Sequence, residues 1–546
     1  MDALILTGKL VDIPQQLIFP ARIKIVNGKI AAIENLSDAG NDATLPFILP
    51  GFIDAHVHIE SSMLIPAQFA RMAVVQGTVA TVSDPHEIAN VCGEKGVTFM
   101  IDNGKTVPFI FYFGAPSCVP ASPFETSGDR VDAKAVRRLL EMKEIHYLSE
   151  MMNFPGVLHH DEEVFKKIKA ARELGKPVDG HAPGLRGELA KQYIDAGIST
   201  DHECFTKDEA LDKLQYGMKI IIREGSAAKN FEALIPLLHD YPDQMMFCSD
   251  DKHPDSLLEG HINKLCARAI QKGIPVFNVL RAACVNPVLH YKLDVGLLNP
   301  DDPADLILVK DLEQFEVLQT YINGELVAEH GDSKIKAGKV QPLNHFNRSS
   351  IILSDLKGAW EEKKASLPVI GALDGQLITE KISATPKTVN GEILSDTSRD
   401  ILKMVVVNRY ADAPPAIALV KNFGLKSGAI ASSVAHDSHN IIAVGADDES
   451  LLRAINLVID RKGGISCVSQ QAELVLGLPI AGLMSADDGY DVAAAYTSID
   501  KMAKSLGSKL SAPFMTLSFM ALLVIPHLKL SDKGLFDGDR FEIIEK

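Results

Sequence analysis

The feature that most constrains the fold is a regular alternation of short apolar runs and amphipathic stretches between residues 47 and 292. In one such stretch, Val164, Ile168 and Ala171 recur at the three- and four-residue spacing of a helix. Parallel strands need helical crossovers of this kind, so the alternation predicts an α/β fold, a (β/α)8 TIM-like barrel. A doubly wound open sheet stays an alternative, because periodicity does not determine strand order. The eight predicted strands are 47–54, 79–84, 108–113, 145–150, 177–181, 198–202, 218–222 and 245–249.

The segments on both sides of this alternation favour β structure. β-branched runs on either side of Asn27-Gly28 predict a hairpin, and strand-like runs return after the alternation ends. We expect these two flanks to pair with each other, while the last part of the chain is long enough for a core of its own. The predicted domains are a small composite β-sandwich domain (1–46 and 293–331), the barrel (47–292) and a C-terminal α/β domain (351–546).

Charge and cysteine content argue against several classes of protein. The chain has 55 basic and 71 acidic residues and a net charge of −16, which disfavours nucleic acid or an anionic membrane as a partner. None of the seven cysteines forms a C-x-x-C pair, as expected for reduced thiols in a cytosolic protein. The N-terminus lacks the features of a signal peptide, and the longest apolar run ends at Pro526 after too few residues to span a membrane. The sequence therefore predicts a cytoplasmic protein.

Side chains that bind metals follow five of the eight predicted strands. The first strand ends in an H-x-H pattern, whose spacing directs both histidines to one face. Because barrel enzymes build their sites at the carboxyl ends of the strands, these side chains should converge, and imidazole with carboxylate suits Zn, Fe or Mn. Taken singly, each also fits an ordinary role such as a helix cap or a solvated polar residue. The strand-end residues are His56, His58, Glu150, His181, His202, Asp250 and Asp251.

Longer motifs around these residues resemble one known family. The run PGFIDAHVH, followed at later strand ends by Glu, His, His and Asp, resembles the amidohydrolase superfamily of metal-dependent hydrolases. Within it the similarity to bacterial adenine deaminases is close, and it extends to AHDSHN at 435–440, so that it covers nearly the whole chain. The other segments that carry it are HVHIESSM (56–63), TVSDPHEIANVCG (81–93), YLSEMMNFPGV (147–157), DGHAPGL (179–185), TDHECF (200–205) and CSDDKHP (248–254).

This resemblance implies a site with two divalent transition-metal ions. The H-x-H pair and Asp250 would bind the first ion, and His181 and His202 would bind the second. Glu150 would bridge the two, at a position where many relatives have a carboxylated lysine. Mn or Fe is the expected metal and Zn is the alternative. Asp250 is preferred as the ligand because it directly follows the strand, which leaves Asp251 as a capping or supporting residue.

The implied reaction is hydrolytic deamination of adenine, a cyclic amidine, to hypoxanthine and ammonia, as in purine salvage. A metal-activated hydroxide would attack C6 of the purine. Asp250 would carry a proton to the departing nitrogen, with Glu150 and His202 as the other catalytic residues. Hydrolysis of a cyclic amide or N-acyl substrate is the alternative, and a barrel kept only for binding is a third. The zinc deaminases with H-x-E and P-C-x-x-C are excluded, because the chain has no P-C-x-x-C.

Two polar stretches that follow the first and second predicted strands are candidates for binding the purine. Helix capping explains both stretches as well, although the histidine in the second adds nothing to a cap. The segment 436–440 of the last domain either covers the site or is an ordinary polar loop. The candidate substrate-binding residues are Glu60, Ser61, Ser62, Asp84, His86 and Glu87.

We also expect the chain to form a homo-oligomer, a dimer.

Overall fold

The computed structural model describes residues 3–37, 44–358 and 366–544, so parts of the predicted first and last domains lie outside the described residues. Its first four strands are β1 (Leu4–Asp12), β2 (Leu17–Val26), β3 (Lys29–Asn35) and β4 (Phe47–Pro50). The predicted hairpin joins β2 to β3: Asn27 and Gly28 have φ values of 53° and 77°, as a tight two-residue turn requires. β1 pairs with β2 antiparallel and with β4 parallel.

Eight parallel strands follow, and helices connect them. The strands are β5 (Phe52–Val57), β6 (Thr78–Ser83), β7 (Ile110–Ala115), β8 (Ile145–Met151), β9 (Val178–Gly180), β10 (Thr200–Asp201), β11 (Lys219–Arg223) and β12 (Met245–Cys248). The helices are α1 (Pro66–Ala73), α2 (His86–Gly104), α3 (Ala133–Leu140), α4 (Phe154–Leu158), α5 (Glu162–Glu173), α6 (Gly187–Asp195), α7 (Lys207–Leu214), α8 (Phe231–Leu234), α9 (Pro254–Glu259), α10 (Ile262–Gln271), α11 (Val276–Leu280) and α12 (Asn286–Tyr291). A strand lies at each of the eight predicted positions.

The parallel strands form a curled sheet. Strands β5 to β9 pair in chain order, and so do β10 to β12. Hydrogen bonds link the two groups at both ends: Ser199 donates to the carbonyl of Val178 (2.9 Å), and Asp250 donates to the carbonyl of His56 (3.0 Å). Because the strands run in one direction, their carboxyl ends lie along the same edge.

The prediction of one continuous strand over 47–54 was wrong at Gly51. Residues 47–50 form β4 in the flanking sheet, and the parallel strand begins at Phe52. A β-carbon at Gly51 would lie only 2.3 Å from Cγ1 of Val79, so glycine permits a close approach where the chain passes between sheets. An apolar run alone does not reveal such a division, because both sheets bury it.

Four strands after the parallel sheet complete the flanking sheet. They are β13 (Leu306–Val309), β14 (Val317–Ile322), β15 (Glu325–Glu329) and β16 (Asp332–Ser333). β13 pairs antiparallel with β4, which gives an eight-stranded sheet in the order β16-β15-β14-β13-β4-β1-β2-β3. Strands from both flanks of the chain therefore share one sheet. The β-sandwich arrangement and the predicted domain boundaries stay predictions.

The C-terminal part is built on a second eight-stranded sheet. Its strands and their neighbours are β17 (Leu367–Gly371), β18 (Glu380–Ala384), β19 (Lys387–Val389), β20 (Glu392–Leu394), β21 (Ile401–Val407), β22 (Ala416–Lys421), β23 (Ala429–Ser432), β24 (Ile441–Gly445), β25 (Gly464–Val468), β26 (Glu473–Gly477), β27 (Leu528–Ser531), β28 (Gly534–Asp537) and β29 (Glu542–Ile543). The helices are α13 (Asp448–Asp460), α14 (Gly489–Ser505) and α15 (Pro513–Phe519). The sheet has the order β18-β17-β22-β21-β24-β23-β25-β26.

Alternate residues of β21 belong to two different cores. Val405 and Val407 pack with residues of α13, whereas Met404 and Val406 belong to the large core that includes the parallel strands. This period of two places one face of the C-terminal sheet toward the parallel sheet. Within the described ranges, no helix has the length and apolar character that crossing a membrane requires.

Candidate metal centre

The strand-end side chains predicted as ligands converge at the carboxyl edge of the parallel sheet. Two come from the end of β5, one from β8, and one each from the residues after β9, β10 and β12. All are buried, with exposed fractions of 0% (His56), 3% (His58), 3% (Glu150), 4% (His181), 2% (His202) and 1% (Asp250). Six side chains of the kinds that bind metal ions therefore lie together inside the protein.

His56, His58 and Asp250 have the spacing of ligands to a single ion. The two Nε2 atoms of the histidines lie 3.2 Å apart, and Oδ1 of Asp250 lies 3.5 Å from His56 and 3.2 Å from His58. Ligand atoms about 2.0–2.2 Å from an ion, at angles between right and tetrahedral, are about 2.8–3.6 Å apart. The Nδ1 atom of His58 lies 3.2 Å from the carbonyl of Asp84, which leaves Nε2 free to bind.

Glu150 lies between this group and the other two histidines. Its Oε1 is 3.2 Å from Nε2 of His58, and its Oε2 is 2.7 Å from Nδ1 of His181 and 3.3 Å from Nε2 of His202. Burial alone would raise the pKa of Glu150, but His181 and His202 hold the pKa well below its ordinary value. A carboxylate with one oxygen toward each group has the geometry of a bridge.

Two charged residues of the site were not predicted from the sequence. Arg223, the last residue of β11, contacts the carboxylate of Glu203 and lies 2.6 Å from Oδ2 of Asp250. Oε1 of Glu203 is 3.4 Å from Nε2 of His202 and 3.5 Å from Nδ1 of His181. Both residues occur at strand ends, so the strand-end rule would have found them had it been applied to arginine and to the residue after His202.

The polar run after β5 has partners within the protein. Glu60 accepts a hydrogen bond from the backbone of Ile88 (3.2 Å), and burial raises its pKa to about 7. Ser61 donates to Oδ1 of Asp251 (2.5 Å). Ser62 donates to the backbone carbonyl of Ile59 (2.6 Å), within its own turn. These contacts fit roles in holding the loop and Asp251 in place.

The run after β6 faces a small cavity at the centre of the site. His86 and Glu87 line this cavity together with Glu150 and Asp251. Nδ1 of His86 lies 3.1 Å from Oδ2 of Asp84, which is itself buried at the end of the strand. His86 and Glu87 therefore stay candidates for contact with a substrate.

The segment 436–440 reaches the site from the C-terminal part, which was one of its two predicted alternatives. His436 Nε2 lies 3.0 Å from Oε1 of Glu87 and 3.1 Å from Oδ1 of Asp251, and His439 contacts the other oxygen of Glu87. Burial lowers the pKa of His436, but Glu87 and Asp251 raise it well above the ordinary value. The C-terminal part thus contributes charged groups to the cavity.

Two family models match the chain in its two main parts. Residues 47–327 match the amidohydrolase family, and residues 376–542 match the adenine deaminase C-terminal domain. The first match contains the whole parallel sheet, and the second contains the segment that reaches the site.

Curated relatives match over almost their whole length. The adenine deaminase of Methanosarcina mazei is 52% identical over 549 residues, with 98% of each chain covered. The adenine deaminase of Sulfurovum sp. is 55% identical over 536 residues, with 98% of each chain covered. The adenine deaminase of Borreliella burgdorferi is 49% identical over 554 residues, with 100% of each chain covered. The chain therefore belongs to the adenine deaminase family of amidohydrolases.

Proposed function

We propose that this protein is a metal-dependent hydrolase that converts adenine and water into hypoxanthine and ammonia. Identity near one half over full length to adenine deaminases carries the proposal. The buried ring of histidines and carboxylates supports it, because hydrolysis of a C–N bond in a cyclic amidine needs an activated water. Purine salvage is the metabolic use we infer for this reaction.

We further infer that the curled parallel sheet is a (β/α)8 barrel. Hydrogen bonds at the carboxyl ends of β12 and β5, such as that from the backbone N–H of His58 to the carbonyl of Asp250 (3.4 Å), support closure of the sheet. A closed barrel would bring the carboxyl ends of non-neighbouring strands, such as β5 and β8, around one central site. The composite β-sandwich and the homodimer belong to the same proposal, and size-exclusion chromatography with light scattering tests the dimer.

We infer that the site binds two divalent transition-metal ions, with Mn or Fe as the expected metals. His56, His58 and Asp250 would hold one ion, His181 and His202 the other, and Glu150 would contact both. When bound, such ions lower the pKa of water toward neutrality and so supply hydroxide at neutral pH. The separations of the ligand atoms support this assignment, and their N/O character suits these metals.

The chain's own residues provide the proton transfers. Amide-like C–N bonds break only when the leaving nitrogen is protonated, so a shuttle must move a proton from the attacking water to the amino group. Asp250 is the proposed shuttle, because its Oδ1 faces the centre while Arg223 holds its Oδ2. His202 would act on the oxygen added to C6 through the ion that it holds, and the polar run after β6 would line the purine pocket. One proton of the water thus leaves with ammonia, and the other ends on a ring nitrogen of hypoxanthine.

Incubation of the purified, metal-loaded protein with adenine tests the proposal directly. We expect hypoxanthine and an equal amount of ammonia, measured by the change in ultraviolet absorbance and by an ammonia-coupled assay. Protein treated with a chelator should be inactive and should recover when Mn²⁺ is returned. Activity on cyclic amides or N-acyl compounds but not on adenine would contradict the proposal in favour of another amidohydrolase reaction.

A further inference from the structure

We propose that His86, Glu87 and Asp437 form a further site for a divalent cation, separate from the two predicted metal sites. Nε2 of His86 lies 3.2 Å from Oε1 of Glu87 and 3.7 Å from Oδ1 of Asp437. The separation between His86 and Glu87 lies in the range of about 2.8–3.6 Å expected around one ion, and all three ligand atoms lie within 4.8 Å of one another. None of the three is among the predicted ligands of the other two ions.

Two of these side chains carry buried polar atoms that the protein leaves without a hydrogen bond. Within the described residues, these atoms include Nε2 of His86 and Oδ2 of Asp437. The three residues are only 2%, 1% and 2% exposed, respectively. Buried polar groups in proteins are almost always paired, so a cluster of unpaired ones indicates a bound species. A cation would satisfy the ring nitrogen and both carboxylates together.

Hydrogen bonds to neighbouring residues determine which lone pairs of His86 and Glu87 face the proposed ion. The backbone N–H of Ala435 donates to Nδ1 of His439 (3.2 Å), so the proton of this ring lies on Nε2, which contacts Oε2 of Glu87. That contact leaves Oε1 of Glu87 facing His86 (3.2 Å) and His436 (3.0 Å). On the other side of His86, Nδ1 lies 3.1 Å from Oδ2 of Asp84. Histidines that bind metals through one nitrogen commonly donate the other N–H to a carboxylate in this way.

The donor set indicates the class of cation. One imidazole nitrogen and two carboxylate oxygens suit Mn²⁺, Fe²⁺ or Zn²⁺ better than Mg²⁺ or Ca²⁺, which prefer oxygen ligands alone. His86 and Glu87 belong to the first turn of α2, whereas Asp437 belongs to the C-terminal part. An ion here would therefore join the parallel sheet to the domain that covers it.

Manganese content of the full chain tests this proposal. After loading with Mn²⁺ and removal of free ion, we expect about three ions per wild-type chain and about two in Asp437→Ala, which removes the carboxylate ligand. Asp460→Ala, on the exposed end of α13, is the matched control and should keep about three. Glu150→Gln should lose both ions of the predicted metal pair yet retain the ion at Asp437.

Anomalous scattering at the manganese edge supplies a second measurement that does not depend on a variant that folds. A peak between His86, Glu87 and Asp437 in wild-type crystals is expected. Two peaks at the predicted pair and none at this position, or the same metal content in wild type and Asp437→Ala, would overturn the proposal. Neither result depends on turnover of adenine, so failure of this site and failure of the proposed reaction remain distinguishable.

Discussion

Nη1 of Arg223 lies 2.6 Å from Oδ2 of Asp250, so a buried guanidinium holds one oxygen of this carboxylate. The other oxygen faces the histidine pair of β5 at 3.2 and 3.5 Å. Asp251 has different partners, since Ser61 donates to it and His436 contacts it. The two adjacent carboxylates therefore have separate environments, and their roles can be tested separately.

Replacing Asp250 with asparagine should reduce kcat about 100-fold or more while much of the metal remains bound, because the amide keeps an oxygen ligand but cannot carry the proton. Asp250 has a φ of 51°, a conformation that asparagine also adopts, so the backbone should be preserved. Steady-state kinetics and metal analysis provide the measurement. Asp251→Asn is the control; a collapse of kcat in that variant, with Asp250→Asn still active, would assign the shuttle to Asp251.

Replacing Glu150 with glutamine should remove the predicted metal pair and abolish deamination. The carboxylate faces His58, His181 and His202 with its two oxygens, and an amide offers only one oxygen to them. Elemental analysis of the desalted variant checks the result. Glu162→Gln, at an exposed position of α5, is the control and should keep full metal content. Turnover near the wild-type rate in Glu150→Gln would refute a bridging role.

Part of this site could be predicted from the sequence because strand ends are local features. The H-x-H pattern and the polar residue after each apolar run need only the rule that parallel strands share a carboxyl edge. The contact between Glu87 and His439 joins residues 352 positions apart, and periodicity contains no information about such packing. The division of the first predicted strand at Gly51 could not be predicted either, because it depends on the close approach of Val79 in another strand.

Replacing Lys213 with methionine should destabilise the protein by about 3–5 kcal/mol, because it leaves a buried carboxylate unpaired. Nζ of Lys213 contacts Asp201 and lies 2.9 Å from Oε1 of Glu209, and both the amine and Asp201 are fully buried. Burial would raise the pKa of Asp201, but Lys213 lowers it to about 2. The measurement is the midpoint of thermal unfolding.

Lys166→Met provides the matched control for Lys213→Met. Lys166 forms an ion pair with Glu162 at 2.9 Å on the exposed face of α5, where solvent screens the charges. Its removal should leave the unfolding midpoint unchanged within error. Equal midpoints for the two variants would contradict a stabilising role of the buried pair.

The buried Lys529 should make stability depend on pH in the alkaline range. Its Nζ donates to the carbonyls of Leu377 (2.6 Å) and Phe519 (2.9 Å), and burial lowers its pKa to about 7. A lysine in the unfolded chain has a pKa of about 10.4. Between these values the unfolded state binds a proton that the folded state lacks, so the free energy of unfolding rises with pH.

Thermal unfolding of wild type and Lys529→Met at pH 7 and pH 9.5 isolates the pH-dependent contribution of Lys529 to stability. Other groups titrate in both proteins, so the informative quantity is the Tm of wild type minus the Tm of the variant. We expect this difference to be more positive at pH 9.5, because the cost of neutralising Lys529 on folding has largely disappeared there. Lys509→Met, at an exposed position in the same part of the chain, should show the same difference at both pH values. A difference for Lys529→Met that does not change with pH would mean that the amine stays charged in the folded protein, held by the two carbonyls alone.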